Sequence, residues 1–205
     1  QMELTLRRIL RERELFVENL ILKEEVERQE RIKQLNNELI QRVKEVNTLN
    51  RVMEDFSATD STHGVYDKVV DLGVEELKAD KVFFHFFSEQ DNSLILIAQS
   101  SSEAAHRTGT GEFESDIPLK TRNYIIDAIQ ADDKPFLISE SPTGTGIDEL
   151  INSCMVVPLK IRDKIFGVAS AFIFEPDRFF GEKDFFHMTF ITQMAASAMD
   201  TIATY

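Results

Sequence analysis

The stretch that decides the fold is residues 153–174, SCMVVPLKIRDKIFGVASAFIF. It is typical of two apolar strands joined by a polar turn, Arg162-Asp163-Lys164, and so predicts a β-hairpin. Pro158 lies inside the first strand, although proline cannot donate a hydrogen bond to a sheet ladder. The hairpin therefore contains a residue that central strands normally exclude, and its position needs an explanation.

The sequence around this hairpin alternates between helical and strand patterns. The other elements predicted after Ser57 are a helix over 65–77, strands over 81–88 and 94–101, a helix over 121–130, a strand over 135–139 and a closing helix over 181–205. Most neighbouring strands are joined by short turns, which favours antiparallel pairing. Helices gather before and after the strands, so we expect an α+β domain built around one core.

Residues 3–56 differ in composition from the rest of the chain, because they contain neither glycine nor proline. Apolar residues between Ile32 and Phe56 are spaced alternately by three and four, which is the 3.5-residue period of a coiled-coil seam. We predict a dimer interface along this seam, formed by Ile32, Leu35, Leu39, Val46, Leu49, Met53 and Phe56. Arg42 occupies the remaining seam position, where it weakens the seam but could help to fix its register.

The long helix needs a partner, because an isolated helix with an exposed apolar stripe is not stable in water. A parallel homodimer is the simplest partner, and a hairpin folded within residues 3–56 is the alternative. The segment before Ile32 is irregular: apolar residues are dense from Leu4 to Leu22, whereas 23–31 contains only Val26. This pattern fits a continuous helix with a break in the heptads, or a helix that packs on a neighbouring domain.

Composition and charge exclude several classes of protein. The net charge is −13, and residues 57–205 carry −12 of it, so an acidic domain would repel phosphate backbones and we expect no nucleic-acid partner. A single cysteine, Cys154, cannot form an internal disulfide or a cysteine-based zinc site. No apolar run is long enough to span a bilayer. We therefore expect a cytoplasmic protein without a membrane partner.

The order of elements from Thr62 to Thr204 resembles a GAF domain, the small-molecule sensory module of signalling proteins. The most specific similarity is VVPL, a charged turn and FGVASAF, supported by ADKVFFHFF, by KPFLI (134–138) and by FGEKDFF before the last helix. We therefore predict a coiled-coil signalling helix over 1–56 and a GAF sensory domain over 57–205. The resemblance implies that Pro158 lies at a bulge or an unpaired ladder position near the rim of the sheet.

The N-terminal segment LRRILRERELFVENLILKEEVERQE is similar to the last receiver-domain helix of a response regulator running into a signalling coiled coil. This resemblance implies an internal fragment of a two-component signalling protein, preceded by a phosphoacceptor domain. We also expect an output module after Tyr205, because the chain stops in a helix without a polar cap.

The resemblance to GAF domains also implies a ligand pocket between one face of the sheet and the loops that cover it. It directs Phe83, His85 and Phe87 toward the pocket, and Val82, Phe84 and Phe86 toward the long helices. The polar residues within apolar strands, His85, Gln99 and Ser170, must find partners in the core or on a ligand. The loop over 142–152 adds Thr143, Thr145 and Asn152 as candidate ligand-binding residues.

Several departures from the family's patterns limit which chemistry we expect. The dispersed cyclic-nucleotide signature is missing, since Gly144 stands where Phe should precede Asp148. Cys154 is followed by Met155, whereas bilin-binding members commonly carry His after the attachment cysteine. One cysteine is also too few for the methionine sulfoxide reductase relative. His63, His106 and His187 show no metal-ligand spacing with His85, so we predict no metal site and leave the cofactor unknown.

The sequence therefore favours a non-enzymatic regulatory module, in which a GAF sensor is coupled to a dimeric coiled coil that relays a conformational change to an output domain. No nucleophile–base pair or phosphate-binding loop argues for catalysis. The alternative is a GAF domain without a ligand, acting as a structural dimerisation platform. The aromatic residues Phe83 and Phe87 distinguish the two, because a pocket filled by them leaves no space for a small molecule.

Overall fold

The computed structural model describes residues 2–59, 61–102, 117–138 and 146–204. These residues form two compact units, Gln1–Asn50 and Arg51–Tyr205. The elements are α1 (Met2–Ser57), α2 (Thr62–Leu77), β1 (Lys81–Ser88), β2 (Ser93–Ser101), α3 (Leu119–Ala131), β3 (Phe136–Ile138), β4 (Ser153–Ile161), β5 (Lys164–Ile173) and α4 (Glu182–Thr204).

The first unit is helical throughout, because α1 continues without a break from Met2 to Ser57. A hairpin within residues 3–56 is therefore excluded, and the continuous helix is confirmed. Within the described part of the chain, no helix is both long and apolar enough to cross a membrane.

The second unit is built around a five-stranded sheet in the order β2-β1-β5-β4-β3, and all neighbouring strands pair antiparallel. The predicted α+β class is confirmed. β1 pairs with the central strand β5 along the segments 81–86 and 167–172 and with β2 on its other side, so the aromatic strand KVFFHFFS is an interior strand of the sheet. Such a strand is covered on both sides, which explains why its residues are apolar on both faces.

The hairpin of β4 and β5 forms as predicted. Its turn residues Arg162 and Asp163 both adopt positive φ, 51° and 64°, as the two central residues of a type I′ hairpin turn do. Pro158 lies opposite Val168 of β5, but β3 pairs only with the segment 154–156. The described sheet therefore has no strand beside Pro158 on that side, which is the unpaired position that proline tolerates.

One side of the sheet, called here the helix-side face, packs against α2, α4 and the last turns of α1. The buried Ser153 lies on this face, where its hydroxyl donates a hydrogen bond of 2.7 Å to the carbonyl of Ile138. The other buried strand residues of this face are apolar: Val82, Phe84, Met155, Val157, Leu159, Ala169, Ala171 and Ile173. Val52 and Phe56 of α1 are buried in the same core. Burial of this much apolar surface is the main contribution to the stability of the domain.

The opposite side, called here the loop-side face, packs against α3 and the segment 146–152. Its buried apolar residues include Phe83, Phe87, Val156, Val168 and Phe172 of the strands together with Ile125 and Ile129 of α3. Ile147 and Ile151 complete this core from the segment that leads into β4. The predicted division of the β1 side chains between the two faces is therefore confirmed for Val82 and Phe84 on the helix side and for Phe83 and Phe87 on the loop side.

The start of α2 is stabilised by a serine cap. Ser61 is the N-cap of α2, and its hydroxyl accepts a hydrogen bond of 3.1 Å from the backbone N–H of Gly64. α2 then buries Val65, Val69 and Leu72 toward the sheet.

Candidate functional site

The candidate site lies on the loop-side face of the sheet, where the predicted residues of β1 converge. Phe83 is buried there and meets Phe172 edge-on, with ring centroids 5.8 Å apart. Phe87 is buried in the same cluster. Large aromatic side chains therefore fill the centre of this face, as they would in a packed core.

His85 is the one histidine buried among the described residues, and its side chain is completely inaccessible to solvent. Its ring lies beside Phe83, with centroids 6.0 Å apart. Ser170 of β5 is paired with Phe83, whereas His85 is paired with Val168, so His85 and Ser170 are diagonal neighbours on the loop-side face. The structure thus brings two of the predicted polar residues together.

The hydroxyl of Ser170 has an unusual environment. It is fully buried, and in the described part of the chain its Oγ has no hydrogen-bond partner. A buried hydroxyl without a partner costs free energy, since its hydrogen bonds to water are lost and not replaced. A ligand that hydrogen-bonds to Ser170 would therefore replace the bonds that its hydroxyl loses on burial.

Gln99 does not belong with these buried residues. It lies opposite Phe83 on the edge strand β2, so it shares the loop-side face, but its side chain is exposed. The expectation of a buried glutamine is wrong because β2 has a neighbouring strand on one side only. Gln99 thus needs no internal partner.

Asn152, another predicted ligand-binding residue, has a structural role. Its side-chain amide donates a hydrogen bond of 2.6 Å to the carbonyl of Arg178, and its backbone N–H donates one of 2.8 Å to the carbonyl of Ile173. The amide nitrogen of Asn152 is therefore already used. Thr143 and Thr145, the remaining loop candidates, lie outside the described residues.

The loop before β4 is held on α3 by contacts that the sequence analysis missed. The hydroxyl of Thr121, which is buried, accepts a hydrogen bond of 3.0 Å from the backbone N–H of Asp148. The Tyr124 ring lies so close to Gly146 that an added Cβ would meet its Cδ2 at 2.7 Å. Thr121 interrupts an apolar helix face, and this interruption was the available signal.

A buried ion pair joins the start of β1 to the loop after β5, and it was also missed. Asp80, only 3% exposed, accepts hydrogen bonds from the Phe174 backbone N–H at 2.9 Å and from Nη1 of Arg178 at 3.0 Å. Arg178 also binds Glu175 at 3.0 Å and the carbonyl of Lys78. We assign this network a structural role because its groups bond to one another.

Cys154 lies on the loop-side face of β4 and is fully buried. Burial raises the pKa of its thiol from the ordinary 9.0 to about 12, because the thiolate would lose its hydration. The side chain is therefore a protonated, poorly reactive thiol at neutral pH. Among the described residues, no group of three or more His, Cys, Asp or Glu side chains could hold a metal ion.

An open cleft of about 740 Å³ lies at the end of the sheet that holds the β4–β5 turn, beside the C-terminal turn of α4. Phe87 is the member of the predicted ligand set that lines it. Arg162 and Asp200, which also line the cleft, bind each other at 3.0 Å, so their charges are already neutralised.

The predicted dimer interface residues of α1 fall into three groups. Ile32, Leu35, Leu39, Val46 and Met53 are exposed, by 48 to 62%, as side chains available to a partner are. Leu49 is half-buried in the protomer. Phe56 is only 3% exposed, because it packs in the helix-side core of its own domain. The assignment of Phe56 to a dimer seam is therefore wrong.

Comparison with solved structures identifies the fold. The GAF domain of an Acinetobacter phosphoenolpyruvate-protein phosphotransferase has a TM-score of 0.59 at 16% identity, covering 78% of this chain and 95% of that one. A far-red absorbing protein in its dark state with bound biliverdin IXa has a TM-score of 0.59 at 16% identity, covering 76% and 99%.

An enzyme shares the same architecture. The free methionine-R-sulfoxide reductase from Neisseria meningitidis, in complex with its substrate, has a TM-score of 0.58 at 14% identity, covering 77% of this chain and 89% of that one. No family model and no curated protein matches the sequence. The chain has the GAF fold, preceded by a long helix.

Proposed function

We propose that this protein is a non-enzymatic regulatory module of a signalling protein, in which a GAF-fold sensor domain is coupled to a dimeric coiled coil. The coil relays a conformational change between this domain and an output domain. A small molecule, or an upstream event, biases the domain between two packings of its helices on the sheet. Such a ligand shifts the equilibrium only by its difference in affinity for the two packings.

The observation that carries this proposal is the double role of α1. Its heptad residues Leu35 and Leu39 are exposed, while Val52 and Phe56 near its C-terminal end are buried in the helix-side core. An exposed apolar stripe of this period favours a second helix. A change in the core around Val52 and Phe56 would therefore act on the helix that forms the dimer.

The central strands give a route from the loop-side face to α1. Phe83 and Ser170 point to the loop side, while their neighbours Phe84 and Ala169 point to the helix-side core. Because protein interiors are close-packed, a ligand that moves β1 or β5 must also move the side chains on the opposite face. The sheet alone therefore connects the loop-side face to the side chains that pack on α1.

The buried polar groups support a ligand on the loop-side face. His85 and Ser170 are neighbours there in otherwise apolar surroundings, as expected for the few polar groups that orient a small molecule. Two solved structures of this fold carry a small molecule, biliverdin in one and a reductase substrate in the other. A polar or heteroaromatic ligand that bonds to Ser170 would fit this chemistry.

The state of Cys154 favours a non-enzymatic role. The reductase of the same fold acts on a substrate, but here the single cysteine is buried and burial raises the pKa of its thiol to about 12. A thiol in this state is a poor nucleophile. We therefore assign Cys154 to the core.

The second candidate function is a structural dimerisation platform without a ligand. One observation favours it: the aromatic side chains of Phe83, Phe87 and Phe172 are packed together on the loop-side face. A face filled in this way has no space for a ligand, and its hydrophobic residues then serve only to stabilise the domain. The two functions share the coiled coil and differ only in the response to a small molecule.

The dimer is tested by analytical ultracentrifugation of the full chain at tens of micromolar. We expect the unaltered chain to be a dimer and Leu39→Asp to be a monomer, because two carboxylates would be buried in an apolar seam. Gln41→Asp is the matched control, since Gln41 is exposed on the same helix and away from the seam. A monomeric unaltered chain would reject the coiled-coil relay.

The sensor is tested by a thermal-shift screen of nucleotides, amino acids and bilins against the unaltered chain. A ligand at 100 times its Kd stabilises the protein by about 2.7 kcal/mol. We expect a shift that Ser170→Ala reduces and that Glu75→Gln, an exposed change on α2, leaves intact. If the dimer forms and no compound in the screen shifts the melting temperature, the platform function is the better account.

A further inference from the structure

Several predicted seam residues of α1 are not available for an apolar contact with a second copy, and this restricts the register of the coiled coil. The continuous heptad register uses Arg42, Val46, Leu49, Met53 and Phe56 after Leu39. Phe56 is buried in its own domain, Leu49 is half-buried, and Arg42 is charged. Three of these five positions are thus unsuited to an apolar contact with a second copy.

A different register avoids all three of these residues. A step of four residues instead of three after Leu39 leads to Val43, Val46 and Asn50, and all three side chains are exposed. The apolar members, Ile32, Leu35, Leu39, Val43 and Val46, are each between 51 and 62% exposed. Their spacing runs three, four, four, three, so that one 11-residue interval separates Ile32 from Val43.

We propose that the seam shifts at this point, passing through Val43 and Asn50 rather than Arg42 and Leu49, and that its partner is the same face of a second copy of this chain. This inference rests on the dimeric coiled coil proposed above. An insertion of four residues into a heptad pattern is a stutter, which locally unwinds the supercoil. The coil is therefore least tightly wound between Leu39 and Val43.

The residue types at the shifted positions fit two strands. A β-branched residue, Val43, occupies an a position, which favours parallel dimers. Asn50 occupies the next a position, where a single polar residue specifies the register and the number of strands. Arg42 moves to the flank of the seam, where its guanidinium stays in water and costs nothing.

The charge of this segment permits two copies to lie side by side. Residues 32–50 contain three Lys or Arg residues and two Asp or Glu residues, a net charge of +1. The rest of the chain carries most of the negative charge. Pairing of the same segment in two copies therefore meets little electrostatic repulsion.

The shift also assigns a role to the segment 39–43. Where a supercoil is unwound, two helices can rotate relative to each other with the smallest loss of seam contacts. We therefore expect a conformational change that reaches the coil through α1 to rotate the two helices first in this segment.

The test compares two adjacent residues in the full chain by measuring the monomer–dimer Kd. Val43→Asp should raise the Kd on the order of 100-fold, since a charge would be buried in the seam. Arg42→Asp, its matched neighbour, should change the Kd by less than about fivefold. An Arg42→Asp effect equal to or larger than that of Val43→Asp overturns the shifted register. Circular dichroism checks that both variants keep their helices.

A second variant tests the register without introducing a destabilising charge. In the continuous register Arg42→Leu would complete the seam and tighten the dimer tenfold or more, whereas in the shifted register it should change the Kd less than about threefold. Tightening of tenfold overturns the inference. Leu39 lies on the seam in both registers, so an unaffected dimer in Leu39→Asp would instead reject the coiled coil itself.

Discussion

Both faces of the sheet bury side chains completely, but they differ in the polar groups that they bury. The helix-side face buries Ser153 among apolar strand residues, and that hydroxyl donates a hydrogen bond of 2.7 Å to the Ile138 carbonyl, whereas the loop-side face buries His85, Ser170 and Cys154. Both faces hold a phenylalanine from β1, Phe84 on one and Phe83 on the other. Burial by itself therefore does not separate a core from a ligand site, and the distinguishing feature is Ser170, whose buried hydroxyl has no hydrogen-bond partner in the described residues.

The comparison assumes that water is excluded from the loop-side face, and Cys154 tests this assumption with the largest expected effect. Burial raises the pKa of its thiol from 9.0 to about 12, so the thiolate fraction at pH 8 falls about a thousandfold. We expect iodoacetamide to modify the folded chain at least that much more slowly than the chain in denaturant. Comparable rates would show that this face opens to solvent.

The same thiol also gives a pH dependence. Folded Cys154 keeps its proton until about pH 12, while unfolded Cys154 loses it near 9.0. Its contribution to stability is complete below pH 9 and is lost as the pH rises toward 12. At pH 10.5 the loss should be about 2 kcal/mol, and Cys154→Ala should lack this part of the alkaline decline. Urea unfolding at pH 7 and 10.5 measures the difference.

The packing of the two faces is tested by truncating one fully buried phenylalanine on each. Phe84→Ala should lower the free energy of unfolding by about 3 to 5 kcal/mol, since Phe84 is fully buried and stacks on Tyr66 at 4.8 Å. Phe83→Ala should cost nearly as much, because Phe83 is equally buried. A loss below about 1 kcal/mol for Phe83→Ala would place a cavity around that side chain.

Gly167 tests how tightly the helix-side face is packed. An added Cβ would lie 2.6 Å from Cζ of Phe84 and 2.7 Å from the backbone oxygen of His85. We expect Gly167→Ala to destabilise the domain by about 2 kcal/mol in chemical denaturation, because the backbone cannot move away easily. Gly181→Ala is the control: its nearest atom would be 3.8 Å away, so its effect should be small.

The smallest effect concerns Ser170 and has the opposite sign. In the ligand-free chain, Ser170→Ala should stabilise the fold by about 1 kcal/mol, because it removes a buried hydroxyl that has no partner in the described residues. Thr192→Val on the other side is the comparison, since the Thr192 hydroxyl bonds to the Met188 carbonyl at 2.9 Å. Stabilisation by Thr192→Val but not by Ser170→Ala would contradict the conclusion that the hydroxyl without a partner is the one on the loop-side face.

Most of the fold follows from periodicity in the sequence. β1 spans the predicted residues 81–88, and the hairpin of β4 and β5 lies within the predicted 153–174, because alternation and turn chemistry are local properties. The two-sided burial of KVFFHFFS also followed from its composition. The unpaired ladder position of Pro158 was one of the two alternatives that the resemblance to GAF domains implied.

The errors arose where a residue's environment depends on distant parts of the chain. Gln99 looks buried because its neighbours are apolar, but only the strand order places β2 at an edge. Phe56 continues a heptad count, yet the core of the domain takes it up. Asn152 resembles a ligand donor until Arg178, which is 26 residues away in sequence, is found to accept its hydrogen bond. Sequence spacing cannot foresee such contacts.

The burial of Val52 and Phe56 has a consequence for how this domain could be exchanged between proteins. A recombination event at Ser57, where the sequence changes texture, would separate the sheet from two of the side chains that fill its helix-side core. The transplanted domain would carry a cavity or require a replacement helix of matching shape. Crossovers that preserve folding must therefore lie upstream of Arg51, so that the domain and the end of its helix are inherited together.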